Sequence, residues 1–220
     1  VAQDKDLFRL DFTEPQMILS PGGRMGACDQ LRFTRDGSQL LAVGDDKVIH
    51  TWDVRGDSLT YRPPLRWNVF RERRGSAYSL AISPDERFAA LAGYGRRDAD
   101  VAVLDRATGK IARALSAGPG NPYAQASGTV WSLAYNATGD ALAVGQEDGS
   151  VWFWGFPVGG SEKVVRVVAP VPVRAAVEGR LAKIVWVGFS GTAVRFARGD
   201  GTVGEVNPDG SALRQLFKFP

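Results

Sequence analysis

The sequence predicts an all-β chain of four repeated sheet units, on three observations. One pattern recurs four times, each copy carries the Gly, Pro and Asp residues typical of tight turns, and no copy shows ten residues of helical periodicity. The copies open at Leu31, Ser79, Ser132 and, in divergent form, Lys183. Aligning Phe33, Ile82, Tyr135 and Trp186 gives spacings of 49, 53 and 51 residues. A period of this length is typical of stacked supersecondary units.

Each copy is expected to contain four short strands. In the third copy these are Val130–Tyr135, Ala141–Gly145, Ser150–Trp154 and Lys163–Val168. Asp148-Gly149 before the third strand is a strong tight-turn signal. The second strands, 40–43, 89–92 and 141–144, are apolar at successive positions, which predicts burial on both faces. The third strands end in larger residues, Trp52, Leu104, Trp154 and Val206. Small second strands beside bulky third strands indicate sheets that stack face to face.

Several short motifs carry a resemblance to a known family. They are Trp52-Asp53, Leu104-Asp105, Ser83-Pro84-Asp85, Asp148-Gly149 and Asp200-Gly201. This pattern resembles the WD-repeat family of β-propellers, and the loose repeats are most similar to bacterial members. The resemblance covers about 28–219. It implies a β-propeller of four-stranded antiparallel blades, with about four blades present as part of a larger ring.

The resemblance divides the chain into blades and connections. The predicted segments are 1–27 (strands that close the ring, or the remnant of a preceding blade), 28–65 (blade 1), 66–75 (an Arg-rich connecting loop), 76–117 (blade 2), 118–128 (a Gly/Pro loop), 129–169 (blade 3), 170–180 (a linker) and 181–220 (blade 4). Three arrangements stay open. The chain is a fragment of a longer propeller, which we favour, or completes a ring with another chain or a second copy, or forms a closed four-blade ring.

The family's histidine network is expected to be absent. In the family, a His before the first strand often bonds to the Asp of the turn before the third strand. The single histidine, His50, lies inside a predicted third strand, so we expect this network in no blade. The Asp that follows the signature Trp is also missing from blades three and four, where Gly155 and Asn207 stand.

Catalysis has little support in the sequence. One His and one Cys leave no triad and no zinc-ligand spacing. The acidic residues sit at turns, where Asp commonly bonds its own backbone. The predicted inner strands offer Arg32, Ser79, Ser132 and Lys183, a poor metal site. We therefore expect no enzyme, no metal and no cofactor. The alternative is a propeller enzyme of hydrolase type with its site in the central channel.

The expected function is a scaffold for protein–protein interaction that docks partners through loops on one face of the disc. The predicted partner-binding residues are Arg66, Trp67, Phe70, Arg71, Arg73, Arg74, Tyr94, Arg96 and Arg97. Arg and aromatic side chains together are typical of binding hot spots, and Arg favours acidic protein segments. RNA or another phosphate-bearing partner is a second possibility. The competing interpretation is a solvated loop whose charges pair with Glu72, Asp98 and Asp100.

The composition of the chain indicates the cellular compartment in which we expect the protein. The 220 residues are 44% hydrophobic, with a net charge of only +3, so no strong nucleic-acid affinity follows from charge alone. No apolar run is long enough to span a membrane. A single cysteine, Cys28, fits a reducing compartment, and the Arg excess fits a GC-rich bacterial genome. We therefore expect a cytoplasmic bacterial protein with no membrane partner.

Overall fold

The chain folds into four antiparallel sheets of four strands, here called blades 1 to 4. The computed structural model describes residues 27–66, 76–93, 101–115, 129–157, 159–171 and 182–219, and the backbone of 2–3, 6–9 and 16–18. The predicted all-β fold of four-stranded antiparallel blades is confirmed. Continuation of the ring beyond these blades stays a prediction, as do the predicted segment boundaries.

The strands of each blade pair in chain order. A short sheet comes first, with β1 (Ala2–Gln3), β2 (Asp6–Arg9) and β3 (Gln16–Ile18). Blade 1 contains β4 (Cys28–Phe33), β5 (Gln39–Gly44), β6 (Val48–Arg55), β7 (Ser58–Tyr61) and an additional short strand, β8 (Leu65–Arg66). Blade 2 contains β9 (Ala77–Ile82), β10 (Phe88–Gly93), β11 (Val101–Asp105) and β12 (Ile111–Leu115). Blade 3 contains β13 (Val130–Tyr135), β14 (Ala141–Gln146), β15 (Val151–Gly155) and β16 (Lys163–Val168). Blade 4 contains β17 (Ile184–Ser190), β18 (Ala193–Arg198), β19 (Thr202–Val206) and β20 (Arg214–Lys218).

The outer strand of blade 1 is interrupted by two prolines. β7 pairs with the second half of β6, and β8 pairs with its first two residues. Pro63-Pro64 lies between them, and proline has no N–H to continue a strand ladder. The backbone N–H of Arg62 still donates to the carbonyl of Thr51 at 2.8 Å. The outer edge of this blade is therefore split into two short strands on the same partner.

The blades are held together by the residues that the repeat pattern marked as core. Residues 40–43, 89–92 and 141–144 of the second strands are buried without exception, which confirms burial on both faces. The third-strand residues Trp52, Leu104, Trp154 and Val206 are also buried. Each pairs across the sheet with the same second-strand position, Leu40, Ala89, Leu142 and Val194 respectively. Three apolar clusters join blade 1 to blade 2, blade 2 to blade 3 and blade 3 to blade 4.

The predicted alignment of the fourth copy is wrong by three residues. In blades 1 to 3, the second-strand residue that pairs with the large third-strand residue also pairs with a first-strand residue, which is Phe33, Ile82 or Tyr135. In blade 4 the first-strand residue at this position is Phe189 and not Trp186. The shift arises because β17 and β18 are joined by the two residues Gly191 and Thr192. The corresponding connections in blades 1 to 3 contain five residues each.

In blades 1 to 3, the polar side chain at one repeated position forms a hydrogen bond to the next blade. The first strands, here called inner strands, lie side by side in the order β4, β9, β13, β17. The Gln30 side-chain carbonyl accepts the N–H of Leu80, and the Ser79 hydroxyl accepts the N–H of Leu133 at 2.9 Å. The Ser132 hydroxyl donates to the carbonyl of Ile184 at 3.0 Å. Gln30, Ser79 and Ser132 occupy equivalent register positions, so the sequence repeats an inter-blade hydrogen bond.

Replacing a buried and an exposed tryptophan should show how much more the inter-blade core contributes to the free energy of unfolding than the surface does. Trp154→Ala removes a fully buried ring between blades 2 and 3 and should cost about 3–5 kcal/mol of the free energy of unfolding. Trp186→Ala is the matched control, because this ring in blade 4 is 48% exposed, and it should cost less than about 1 kcal/mol. Urea denaturation measures both values. Equal losses for the two variants would contradict the described inter-blade core.

Candidate functional site

Most of the predicted partner-binding residues lie outside the described part of the chain. These are Trp67, Phe70, Arg71, Arg73, Arg74, Tyr94, Arg96 and Arg97. Arg66 is described. It is the exposed last residue of β8, where it pairs with Val48 instead of opening the connecting loop. The docking role of this set stays a prediction.

The described residues form a depression at one end of the inner strands. Its volume is about 490 Å³, and all four blades contribute to it. Its lining includes Arg32, Phe33, Arg35, Leu80, Ile82, Glu86, Leu133, Tyr135, Trp186 and Phe189. The inner strands end here at Phe33, Ile82 and Tyr135, just before the turns to the second strands. β10 ends and β11 begins at the opposite end of blade 2.

The depression combines exposed apolar surface with an unsatisfied polar group. Phe33 is 61% exposed, and Trp186 is also half-exposed. The hydroxyl oxygen of Tyr135 is buried and has no hydrogen-bond partner within the described residues. Burial raises the pKa of Tyr135, so the hydroxyl stays protonated at neutral pH. A buried hydroxyl without a partner is unusual in folded proteins, and a bound group could satisfy it.

The charge at the rim is mostly positive. Arg32 and Arg35 are both exposed there. The Glu86 carboxylate is the acidic group of the lining, and it accepts the backbone N–H of Arg35 at 2.5 Å. This contact joins the first turn of blade 1 to the first turn of blade 2. The carboxylate is thus held by the fold, while both guanidinium groups face solvent.

The other polar residues expected on the inner strands are used by the fold. Ser79 and Ser132 make the inter-blade hydrogen bonds described above. Lys183 precedes β17, and its ammonium nitrogen lies 4.2 Å from the centre of the Trp131 ring. That ring also stacks on Tyr78 at a centroid distance of 4.4 Å. In the described ranges no group of three or more His, Cys, Asp or Glu residues could hold a metal ion.

The acidic turn residues bond their own turns, as expected. Asp85 accepts the Ser83 hydroxyl at 2.6 Å and the Arg87 N–H at 3.1 Å. Asp140 accepts the Thr138 hydroxyl at 2.6 Å and the Asn136 amide at 2.7 Å. These hydrogen bonds hold the pKa of both carboxyl groups below the ordinary value. The carboxylates therefore stabilise turns.

Blade 1 contains a His–Asp contact at the turn before its third strand that differs from the family's network and that the sequence did not predict. Buried His50 contacts Asp46 of that turn, with 2.7 Å between Nε2 and Oδ2. Its Nδ1 lies 2.8 Å from the Tyr61 hydroxyl. The family places this His before the first strand, whereas His50 reaches the turn from the third strand itself. A His four residues after a turn Asp is the sequence signal that could have predicted the contact.

Acid should destabilise the fold through the turn carboxylates. A carboxyl whose pKa is lowered by folding stabilises the native state above its unfolded value of about 3.9, and this stabilisation is lost as the pH falls. Asp140→Asn should therefore show a smaller loss in the free energy of unfolding than the wild type between about pH 7 and about pH 3.

Asp29→Asn provides a control of opposite sign. Burial, reinforced by the charge of Asp45, raises the pKa of Asp29, so this group favours the folded state at low pH. Its removal should make the acid loss steeper. Urea denaturation across the pH range measures both slopes. An Asp140→Asn slope equal to that of the wild type would show that the turn hydrogen bonds have no such effect.

Removing the Tyr61 hydroxyl should weaken blade 1. Tyr61→Phe leaves Nδ1 of buried His50 without its partner, which should cost about 1–3 kcal/mol of the free energy of unfolding. Tyr78→Phe is the matched control, because it keeps the ring that stacks on Trp131, and should change stability by less than about 0.5 kcal/mol. Thermal and urea denaturation provide the measurement. A Tyr61→Phe variant as stable as Tyr78→Phe would contradict the His50 network.

No helix among the described residues is long and apolar enough to cross a membrane.

Comparison with known proteins agrees with this geometry. Residues 120–155, which include β13 to β15, match the family model "WD domain, G-beta repeat". Among curated proteins none matches the chain. Among solved structures, the beta-propeller domain of Cps50 (Swd1) from Myceliophteria thermophila is similar, with a TM-score of 0.59 and 17% sequence identity. The match covers 86% of this chain and 54% of the other, so the chain spans about half the length of that propeller. The predicted resemblance is confirmed: residues 120–155 match a WD-repeat model, and the likeness to the solved structure shows a β-propeller fold.

Proposed function

We propose that this chain is a non-catalytic scaffold that docks a segment of a partner protein in the depression at the ends of the inner strands. WD40 propellers are typically protein-interaction scaffolds. The observation that carries the proposal is the set of exposed aromatic rings in one depression that all four blades form, whose lining includes Tyr135 with its unpartnered buried hydroxyl. A rigid set of stacked blades suits this role, because it holds these groups in place before the partner arrives.

Phe33 is the proposed anchor for the partner. An aromatic side chain that is 61% exposed at a concave surface contributes strongly when a partner removes it from water. Tyr135 sets a second condition, because its buried hydroxyl gains a hydrogen bond only from a group inserted beside it. The segment should therefore present an apolar side chain close to a hydrogen-bonding group.

Charge at the rim favours an acidic partner. Arg32 and Arg35 are exposed, and Glu86 is engaged by the backbone of Arg35. Aspartate or glutamate next to the apolar anchor would meet guanidinium groups, which offer several donors to a carboxylate. Single-stranded RNA is the competing partner class, since bases stack on exposed aromatic rings. We favour protein because the lining includes aliphatic side chains, Leu80, Ile82 and Leu133, besides the aromatic rings.

The Arg-rich connection between blades 1 and 2 is the alternative docking site. Its residues Arg71, Arg73 and Arg74 lie outside the described part of the chain, and variants of these arginines and of Phe33 test the two sites separately. The hydrolase alternative gains no support from the inner strands, because the hydroxyl groups of Ser79 and Ser132 form hydrogen bonds between blades. A bacterial cytoplasmic setting is also proposed, on composition alone.

A peptide library tests the docking site. Phage-displayed peptides of roughly twelve residues selected on the wild-type chain should be enriched in Asp or Glu beside a large apolar residue. Phe33→Ala should weaken a selected peptide by about tenfold or more in fluorescence polarisation, because it removes the anchor. Ile111→Ala is the matched control, since this exposed residue lies on β12 away from the depression, and it should change affinity less than about twofold.

Three outcomes would overturn the proposal. The first is a library that yields no enriched peptide. The second is loss of binding when Arg71, Arg73 and Arg74 are changed to Glu, with Phe33→Ala unaffected, which would move the site to the Arg-rich connection. The third is a pool of single-stranded RNA that binds the wild-type chain more tightly than the selected peptides and does not bind the Phe33→Ala variant. That result would make RNA the partner class instead of protein.

A further inference from the structure

The face of blade 4 that points away from blade 3 differs from the equivalent faces of the other blades. On one row across this sheet, the register aligns Trp186, Ala197, Val203 and Phe217. The neighbouring row aligns Gly188, Arg195, Glu205 and Arg214. Residues directly opposite each other in antiparallel strands share one face. We call these two rows the apolar row and the ionic row.

Blade 3 shows what such rows contain when another blade covers them. The positions equivalent to Arg195, Glu205 and Arg214 are Ala143, Phe153 and Val165. All three pack in the apolar cluster shared with blade 4. The position equivalent to Trp186 is Ser132, the residue that bonds to the next blade. A blade stacked on blade 4 in the same manner would meet the Trp186 ring and bury three charged groups.

Trp186 lies flat on this face. A Cβ atom added at Gly188 would come within 2.5 Å of the Trp186 ring, so the ring covers the glycine and closes that part of the sheet surface. Phe217 stands at the other end of the apolar row and is 49% exposed. Phe219 packs edge-on against Phe217 at a centroid distance of 5.1 Å and is also exposed. The row therefore has accessible aromatic groups at both ends.

The ionic row offers hydrogen-bond donors and no free acceptor. Glu205 is mostly buried, and its two oxygens accept separately from Arg195 Nε and Arg214 Nη2, each at 2.7 Å. These bonds hold the pKa of Glu205 below its ordinary value, so it stays ionised at neutral pH. Each guanidinium uses one nitrogen in this pair of contacts and is substantially exposed. Two positive groups with unused N–H donors face solvent beside the apolar row.

We propose that this face binds an amphipathic helix of a partner protein, with its apolar stripe on the Trp186–Phe217 row and acidic residues on Arg195 and Arg214. The exposed guanidinium groups determine the chemistry of the partner, because they bind carboxylates on the helix and repel cationic side chains. Four strands at about 4.8 Å spacing make the row about 14 Å long, which two to three helical turns cover. The apolar row shares Trp186 with the inner-strand depression, whereas Phe217, Arg195 and Arg214 lie outside the lining of that depression.

A pair of matched peptides tests the chemistry. One labelled helical peptide carries Leu along one stripe and Glu on its flanks, and the other has Lys in place of every Glu. Fluorescence polarisation should show that the Glu peptide binds the wild-type chain about tenfold more tightly than the Lys peptide. Arg214→Glu should reverse this preference. Equal binding of the two peptides would overturn the proposal.

Three further variants locate the contact. Phe217→Ser should weaken the Glu peptide by about tenfold or more, while circular dichroism and thermal unfolding remain close to those of the wild type. Leu213→Ser, an exposed residue of the same blade before β20, should leave the affinity within about twofold, as should Ile111→Ala on β12 of blade 2. Unchanged binding to Phe217→Ser would overturn the site. A wild-type dimer in sedimentation equilibrium that Phe217→Ser dissociates would identify a second copy as the occupant and overturn the helix partner.

Discussion

Burial of the second and third strands by neighbouring sheets is the constraint on which this structure depends. Blades 1 to 3 cannot cover their own apolar residues, because a single sheet has two faces and their second strands are apolar on both. Trp154 shows the consequence, since its ring belongs to blade 3 and its packing partners include Ala81 and Ala90 of blade 2. The inter-blade hydrogen bonds of Gln30, Ser79 and Ser132 then set the position of one inner strand against the next.

This constraint explains where function can lie. Polar groups inside the blades are committed to turns and to contacts between blades, as Asp140 and Ser132 show. The two proposed partner surfaces lie at the ends of the inner strands and on the face of blade 4 that points away from blade 3. Phe33 marks the first of these surfaces and Phe217 the second, and both are exposed aromatic side chains next to arginines.

The sequence predicted the blades well, because alternation and tight-turn residues are local signals. Burial of Leu142 and Trp154 followed from their strand pattern alone. The shift of the fourth copy did not, since the two-residue turn at Gly191 removes the residues that mark the other copies. The candidate site was also beyond local reasoning. The exposure of Phe33 and the missing partner of Tyr135 depend on how four separate strands converge.

The central claim is that the blades stabilise one another and none is stable alone. Native-state hydrogen exchange measures this directly, because it reports the opening free energy of each strand. The account predicts that the amides of β5, β10 and β14 exchange only through a shared global unfolding, with one common free energy. Distinct opening free energies for the three strands, with one blade exchanging while its neighbours stay protected, would contradict it.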